Sequence, residues 1–198
     1  MSVTAIEYDQ VMSRWEPNAR GRLAQAAMDL YLEEGFEQTT VAEIAARAGL
    51  TERTFFRYFT DKREVLFWGA PALQDLLVAA VVTAPAEDSP ITAVASAIVV
   101  AGEFFQEGHA FSRRRQSIIA ANPDLQEREL IKLATLAGAM ADALRQRGVT
   151  DPAATLAAEA GVAVFRIVFD QWVSDETPRR FSDLVRDSFD ELRDVTAG

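Results

Sequence analysis

Apolar residues recur along this chain at intervals of three and four. No segment sustains the strict alternation of a half-buried strand between turn signals. The pattern therefore predicts an all-α protein of about nine helices. A first helix is expected from about Asn18 to Glu34, with Leu23, Ala27, Leu30 and Tyr31 on one face and Gly35 as its stop. Thr40-Val-Ala-Glu43 reads as a capping box that opens a short helix over Val41 to Ala48, ended by Gly49. Thr51 is placed to cap another short helix running through Tyr58. A longer helix follows Asp61, and Gly69-Ala-Pro71 inside it should kink or split it. Beyond the loop at Thr83 to Pro90, helices are expected over Ile91–Gln106, His109–Ala121 and from Asn122-Pro123 to Gly148. Two more run from Asp151-Pro152 to about Val173 and from Thr177-Pro178 to the end, with Glu107-Gly108 as a further break.

Composition narrows the chemistry. The chain has no cysteine and one histidine, His109, which leaves no disulfide, no thiolate nucleophile and no multi-histidine metal site. No nucleophile–base pair and no phosphate loop is evident either, so neither an enzyme nor a bound cofactor or metal is expected. The first 18 residues are acidic and lack a long apolar run, unlike a signal peptide. No stretch reaches the length of a membrane span without Gly, Pro or charge nearby, so a cytoplasmic protein without membrane contact is expected.

The formal net charge of −10 argues against a nucleic-acid partner until its distribution is considered. Residues 65–198 hold 12 basic and 19 acidic residues. Between positions 47 and 63, however, Arg47, Arg53, Arg57, Lys62 and Arg63 face only Glu52 and Asp61. A small positive end on an acidic body suits a protein that presents one end to DNA, although a short basic stretch can also be plain solvated surface.

The stretch from Gln38 to Leu66, QTTVAEIAARAGLTERTFFRYFTDKREVL, places two short helices about an Ala-Gly-Leu-Thr turn. Ile44 and Ala45 face inward, and Gly49 supplies the left-handed backbone of the turn. This is the grammar of a helix-turn-helix, whose second helix enters the major groove. Thr40, Ile44-Ala45, Ala48-Gly49, Leu50, Thr51, Thr54-Phe55-Phe56, Tyr58-Phe59 and Lys62 together resemble the DNA-binding domain of the tetracycline-repressor (TetR) family over about residues 18–68. The resemblance implies an extended or disordered arm over 1–17, a three-helix DNA-binding domain over 18–64 and a ligand-binding and dimerisation body over 65–198.

The same resemblance implies roles for individual residues. Thr40 would offer its hydroxyl and a helix N-terminus to a phosphate. Thr51, Glu52, Arg53 and Thr54 would open the recognition helix nearest the base edges. Arg57 and Tyr58 would reach bases or backbone one turn on, and Lys62 would contact a phosphate. Phe56 reads equally as a DNA contact or as core, and it stands where the family usually has Tyr, which removes a phosphate-binding hydroxyl. Phe55 and Phe59 read as core, and Arg47 as a DNA contact or an intradomain ion pair.

In the resembling family, the last two helices pair across a two-fold axis. The helix over 152–173 is apolar on more than one face here, which supports pairing independently. Ala157, Gly161, Val164, Val168 and Trp172, with Leu184 and Phe189 on the last helix, are the expected dimer contacts. Candidate pocket residues are Phe104, Phe105, His109, Phe111, Met140, Phe165, Arg166 and Phe169, though an aromatic cluster at helical spacing also reads as core. Arg166 calls for Asp170 or a bound anion, and Arg113-Arg114-Arg115 reads as a solvated face.

The expected function is therefore that of a homodimeric transcriptional regulator. It would be a repressor on a palindromic double-stranded DNA operator, released by an unidentified small molecule. The alternative is an architectural or partner-recruiting helix-turn-helix protein without a ligand.

Overall fold

The computed structural model describes residues 19–106, 108–177 and 179–197, without the side chains of Phe104 and Gln106. The expected arm at 1–17 and the Phe104 side chain lie outside the described residues, as do Glu107 in the predicted break and Pro178 at the predicted start of the last helix. Among the described residues there are nine α-helices, one 3-10 turn and no strand. The chain divides into two compact units, the first ending at Trp68 and the second beginning at Gly69.

In the first unit, α1 (Ala19–Glu33), α2 (Val41–Arg47), α3 (Glu52–Tyr58) and a 3-10 turn (Glu64–Phe67) enclose one small core. Leu23, Ala27, Leu30 and Tyr31 of α1 are buried as their spacing requires, against Ile44, Ala45, Phe55, Phe59 and Leu66. The Thr40–Glu43 capping box is formed, with the threonine oxygen taking the Glu43 amide and the glutamate reaching back to the Thr40 amide. Gly49 turns the chain at φ +66°, a region that favours glycine.

The second unit holds α4 (Ala70–Thr83), α5 (Pro90–Gln106), α6 (His109–Ala120), α7 (Pro123–Gln146), α8 (Ala153–Ser174) and α9 (Phe181–Thr196). The apolar α5 lies centrally, packed against α4, α8 and α9, and α8 also packs on α7. Gly69-Ala-Pro71 splits the expected long helix, because the proline occupies the first turn of α4, where no backbone N–H is needed. The run Glu64–Thr83 is long and apolar enough, by length and composition alone, to cross a membrane, but it holds Gly69, Pro71 and Asp75. Its apolar side chains go into two cores, with Val65, Leu66 and Phe67 buried in the first unit and Leu77 and Val81 in the second.

Helix α8 corrects the expected dimer contacts. Ala157, Gly161, Val164, Val168 and Trp172 face the chain's own core, as do Leu184 and Phe189 of α9. Gly161 sits so close to α5 that a Cβ there would overlap Cγ1 of Val94 and lie 3.5 Å from Cδ1 of Ile98. The two apolar faces of α8 were legible, but the stripe chosen for a partner packs inside the protomer. The stripe left outside runs through Leu156 (65% exposed), Ala160, Ala163 and Ile167 (59% exposed).

Candidate nucleic-acid interface

The recognition helix α3 is short because its sequence caps it at one end and stops it at the other. Thr51, in extended backbone, accepts the Thr54 amide at 3.2 Å, and Phe59 returns the chain to extended conformation. Helical spacing then sorts the side chains. Phe55 and Phe59 are buried, Thr54 and Tyr58 are half-buried, and Glu52, Arg53, Phe56 and Arg57 form an exposed face. The buried phenyl of Phe55 meets both Phe56 and Phe59 ring to ring.

Two cations brace the segments that lead into α2 and α3. Arg22 of α1 donates from Nε at 3.0 Å and from a terminal nitrogen to the carbonyl of Ala48, and it also reaches the Gly49 carbonyl at 3.2 Å. It thereby ties the turn between α2 and α3 to α1. Sequence reasoning missed Arg22; its only signal was a cation beside Leu23 at the edge of an apolar stripe.

The second cation is Lys62, and it overturns an expectation. Its ammonium donates to the carbonyls of Phe36 (2.7 Å), Glu37 (3.1 Å) and Thr39 (3.0 Å) and sits 4.4 Å from the centre of the Phe36 ring. An ammonium has three donors, and all three are engaged here, so Lys62 clamps the loop before α2 and has no spare donor for a phosphate. Tyr31 closes the same knot by donating its hydroxyl to the Lys62 carbonyl at 2.6 Å. Burial, with Asp61 nearby, pushes that phenol well above its usual range.

Thr40 is likewise engaged. Its hydroxyl donates to Glu43 at 2.7 Å while accepting the Glu43 amide, and the bonds from the Thr40 hydroxyl and backbone amide hold the Glu43 carboxyl below its usual range. The carboxylate thus occupies the helix end where a phosphate was expected, and Thr40 presents no spare donor. The basic cluster is reduced in the same way. Arg47 pairs with Glu33 at 2.8 Å and Arg63 with Asp61 at 3.0 Å. Arg57 stacks on the Tyr58 ring at 4.8 Å and donates to its hydroxyl at 3.0 Å. Arg53 is exposed and makes no hydrogen bond or ion pair among the described residues. The outward face therefore presents Arg53 and Arg57 as cations, beside Phe56.

The candidate pocket residues of the second unit do not form one site. Phe105, Phe165 and Phe169 pack ring on ring with Trp172 and Phe181, and His109 meets Trp172 edge-on at 4.6 Å. His109 Nε2 lies 2.9 Å from the Trp172 carbonyl oxygen. Met140 is fully buried elsewhere in the same core, whereas Phe111 and Arg166 are exposed. Trp172 is also fully buried, and its indole N–H has no acceptor among the described residues. Such an orphan costs about 1–3 kcal/mol.

Arg166 makes no ion pair with Asp170 among the described residues. Both line a cleft of about 440 Å³ between α6, α7 and α8, with Gln116, Glu129, Leu130 and Leu133. Arg115 leaves the expected solvated face to donate to Glu129 at 3.1 Å. Burial pulls its guanidinium pKa down, against the opposing pull of that carboxylate.

Comparison with known proteins covers both units. Residues 23–67 match the family model described as bacterial regulatory proteins, tetR family, and residues 88–197 match the one described as the MftR C-terminal domain. HTH-type transcriptional regulator TcmR of Streptomyces glaucescens is 37% identical over 78 residues, which are 39% of this chain and 34% of TcmR. The chain thus spans about a third of that relative's length. A protein of Mycobacterium tuberculosis named as mycofactocin biosynthesis transcriptional regulator MftR is 26% identical over 166 residues, covering 78% of this chain and 80% of its own. FadR of Bacillus subtilis, solved in complex with stearoyl-CoA, has a similar fold at TM-score 0.59 and 17% identity, covering 87% of this chain and 96% of that one.

Proposed function

The chain belongs to the TetR family of bacterial transcriptional regulators, and from that premise we propose that it represses transcription as a homodimer on a palindromic operator and lets go when a small molecule enters its second unit. One observation carries the DNA-binding reading. Arg22 ties the turn that leads into α3 to α1, and the outer face of α3 is left to Glu52, Arg53, Phe56 and Arg57. An exposed helix face with an uncommitted guanidinium is what direct reading of base edges requires, because Arg recognises guanine by two parallel hydrogen bonds.

Selection of the full chain against random duplex DNA should enrich a two-fold symmetric sequence. Arg53→Ala should then lower affinity for it about tenfold or more and relax preference at one position of each half-site. Equal affinity of wild type and variant for every duplex would refute this assignment.

The exposed stripe Leu156–Ala160–Ala163–Ile167 on α8 is the better candidate for the two-fold contact. Isolated apolar residues on a surface are ordinary, but a continuous helical stripe with two alanines permits close approach of a second helix. Ile167→Glu and Leu156→Glu should each convert the dimer to a monomer that still folds, because neither side chain belongs to the core. Light scattering that finds intact dimers for both variants would send the interface elsewhere.

For the ligand, a molecule with a long apolar part is the reading, and it would have to part the packed rings around Trp172 to enter. A carbonyl on it would supply the acceptor that the buried indole N–H lacks among the described residues. A fatty acyl thioester meets both conditions, and stearoyl-CoA, bound by B. subtilis FadR, is the first probe. It should lower operator affinity in the wild type and do so less in Trp172→Phe, which keeps the ring but removes the donor. An operator complex indifferent to such probes would favour the architectural reading.

A further inference from the structure

Phe56 is the anomaly of the recognition face. Its phenyl ring is 55% exposed on a helix whose other outward side chains, Glu52, Arg53 and Arg57, are all charged. No fold requirement explains it, since the core side of α3 is already filled by Phe55 and Phe59. The ring is not loose, however. It stands edge-to-face on the buried Phe55, with centroids 5.5 Å apart and planes at 83°, and Phe55 packs in turn on Phe59. The protein thus presents an oriented apolar disc one turn beyond Glu52 and Arg53.

A phenyl ring has neither donor nor acceptor, so it gains nothing from a phosphate oxygen or from the polar edges of guanine, adenine or cytosine. The major groove offers one apolar group on a base edge, the C5-methyl of thymine. We propose that Phe56 is a specificity-determining residue that reads a thymine methyl in each half-site, beside the base contacted by Arg53. This rests on the DNA-binding reading given above and adds to it the chemistry of one recognised base.

Uracil in place of thymine removes the methyl and leaves every hydrogen-bonding group unchanged, so it isolates the contact. Full-chain protein is used to select its sequence from random duplexes, and each thymine of the enriched site is then replaced by uracil in turn. Removing one buried methyl should weaken wild-type binding about fourfold at a single position per half-site, and about fifteenfold when both half-sites are changed together.

Phe56→Ala should bind the thymine and uracil duplexes equally, and Phe56→Tyr, which keeps the ring, should retain the penalty. A merely structural role for Phe56 would weaken both duplexes alike and leave the penalty in place. The proposal is overturned if no uracil substitution affects the wild type, if Phe56→Ala keeps the same penalty, or if the enriched site contains no thymine. Should selection enrich no sequence at all, the DNA-binding reading itself falls and this inference falls with it.

Discussion

Lys62→Met is expected to loosen the first unit while leaving the salt dependence of DNA binding unchanged. The methionine keeps the apolar stem but leaves the carbonyls of Phe36, Glu37 and Thr39 without their shared donor. Hydrogen bonds to a charged group contribute about 1.5–3 kcal/mol each in net terms. Because Lys62 is only half-buried, solvent recovers part of this, and a loss of about 2–4 kcal/mol for the three together is expected. In a unit of this size that corresponds to a fall in melting temperature on the order of 10 °C, with faster amide exchange in α1 and α2.

A lysine that neutralised a phosphate would behave differently. Its removal would leave the fold intact and reduce the slope of log affinity against log salt by about 0.9 per contact. Affinity measured at four or five salt concentrations, together with the melting curve, separates the two roles. A flattened slope with an unchanged melting temperature would restore Lys62 to the DNA backbone.

Gly161 is expected to give the second large effect. Replacing a mid-helix glycine by alanine ordinarily stabilises a helix by about 0.5–1 kcal/mol. Here the new Cβ would overlap Val94, which is fully buried and has little room to move. Overpacking of this kind costs about 1–3 kcal/mol, so Gly161→Ala should be net destabilising and Gly161→Leu should leave little folded protein. The sign should reverse in a Val94→Ala background, where the obstructing methyl is gone and the ordinary helical preference for alanine emerges. Urea unfolding of the wild type, both single variants and the double variant gives the coupling directly. An equal effect of Gly161→Ala in both backgrounds would mean that the two helices are not packed as described.

These two residues also mark where the sequence stopped being legible. The capping box at Thr40–Glu43, the left-handed Gly49, the cap at Thr51 and the split at Pro71 were readable because each is decided within four or five residues. The inward positions of Leu23, Ile44, Phe55 and Phe59 followed from period alone. Lys62 was misread because its partners lie 23 to 26 residues upstream, and nothing local distinguishes a clamp from a phosphate ligand. Arg22 was overlooked for the same reason, since its acceptors are 26 and 27 residues away. Helix α8 posed a different problem. Its apolar residues cover more than one face, and periodicity cannot say which stripe meets α5 and which stays outside. The aromatic residues gathered where expected, but as mutually packed rings, and Phe111 and Arg166 fell outside the cluster because exposure depends on the tertiary arrangement.

The engagement of Arg47, Lys62 and Arg63 within the protein bears on how such a regulator is distributed along a chromosome. Binding to arbitrary DNA is governed by how many phosphates the protein neutralises, and the genome supplies millions of such competing sites. With Arg47 and Arg63 paired with carboxylates, and with 19 acidic against 12 basic residues beyond position 68, few positive charges remain to hold it on a random sequence. Little of the protein would then be lost to idle genomic DNA, and a small number of copies per cell would suffice to keep an operator occupied.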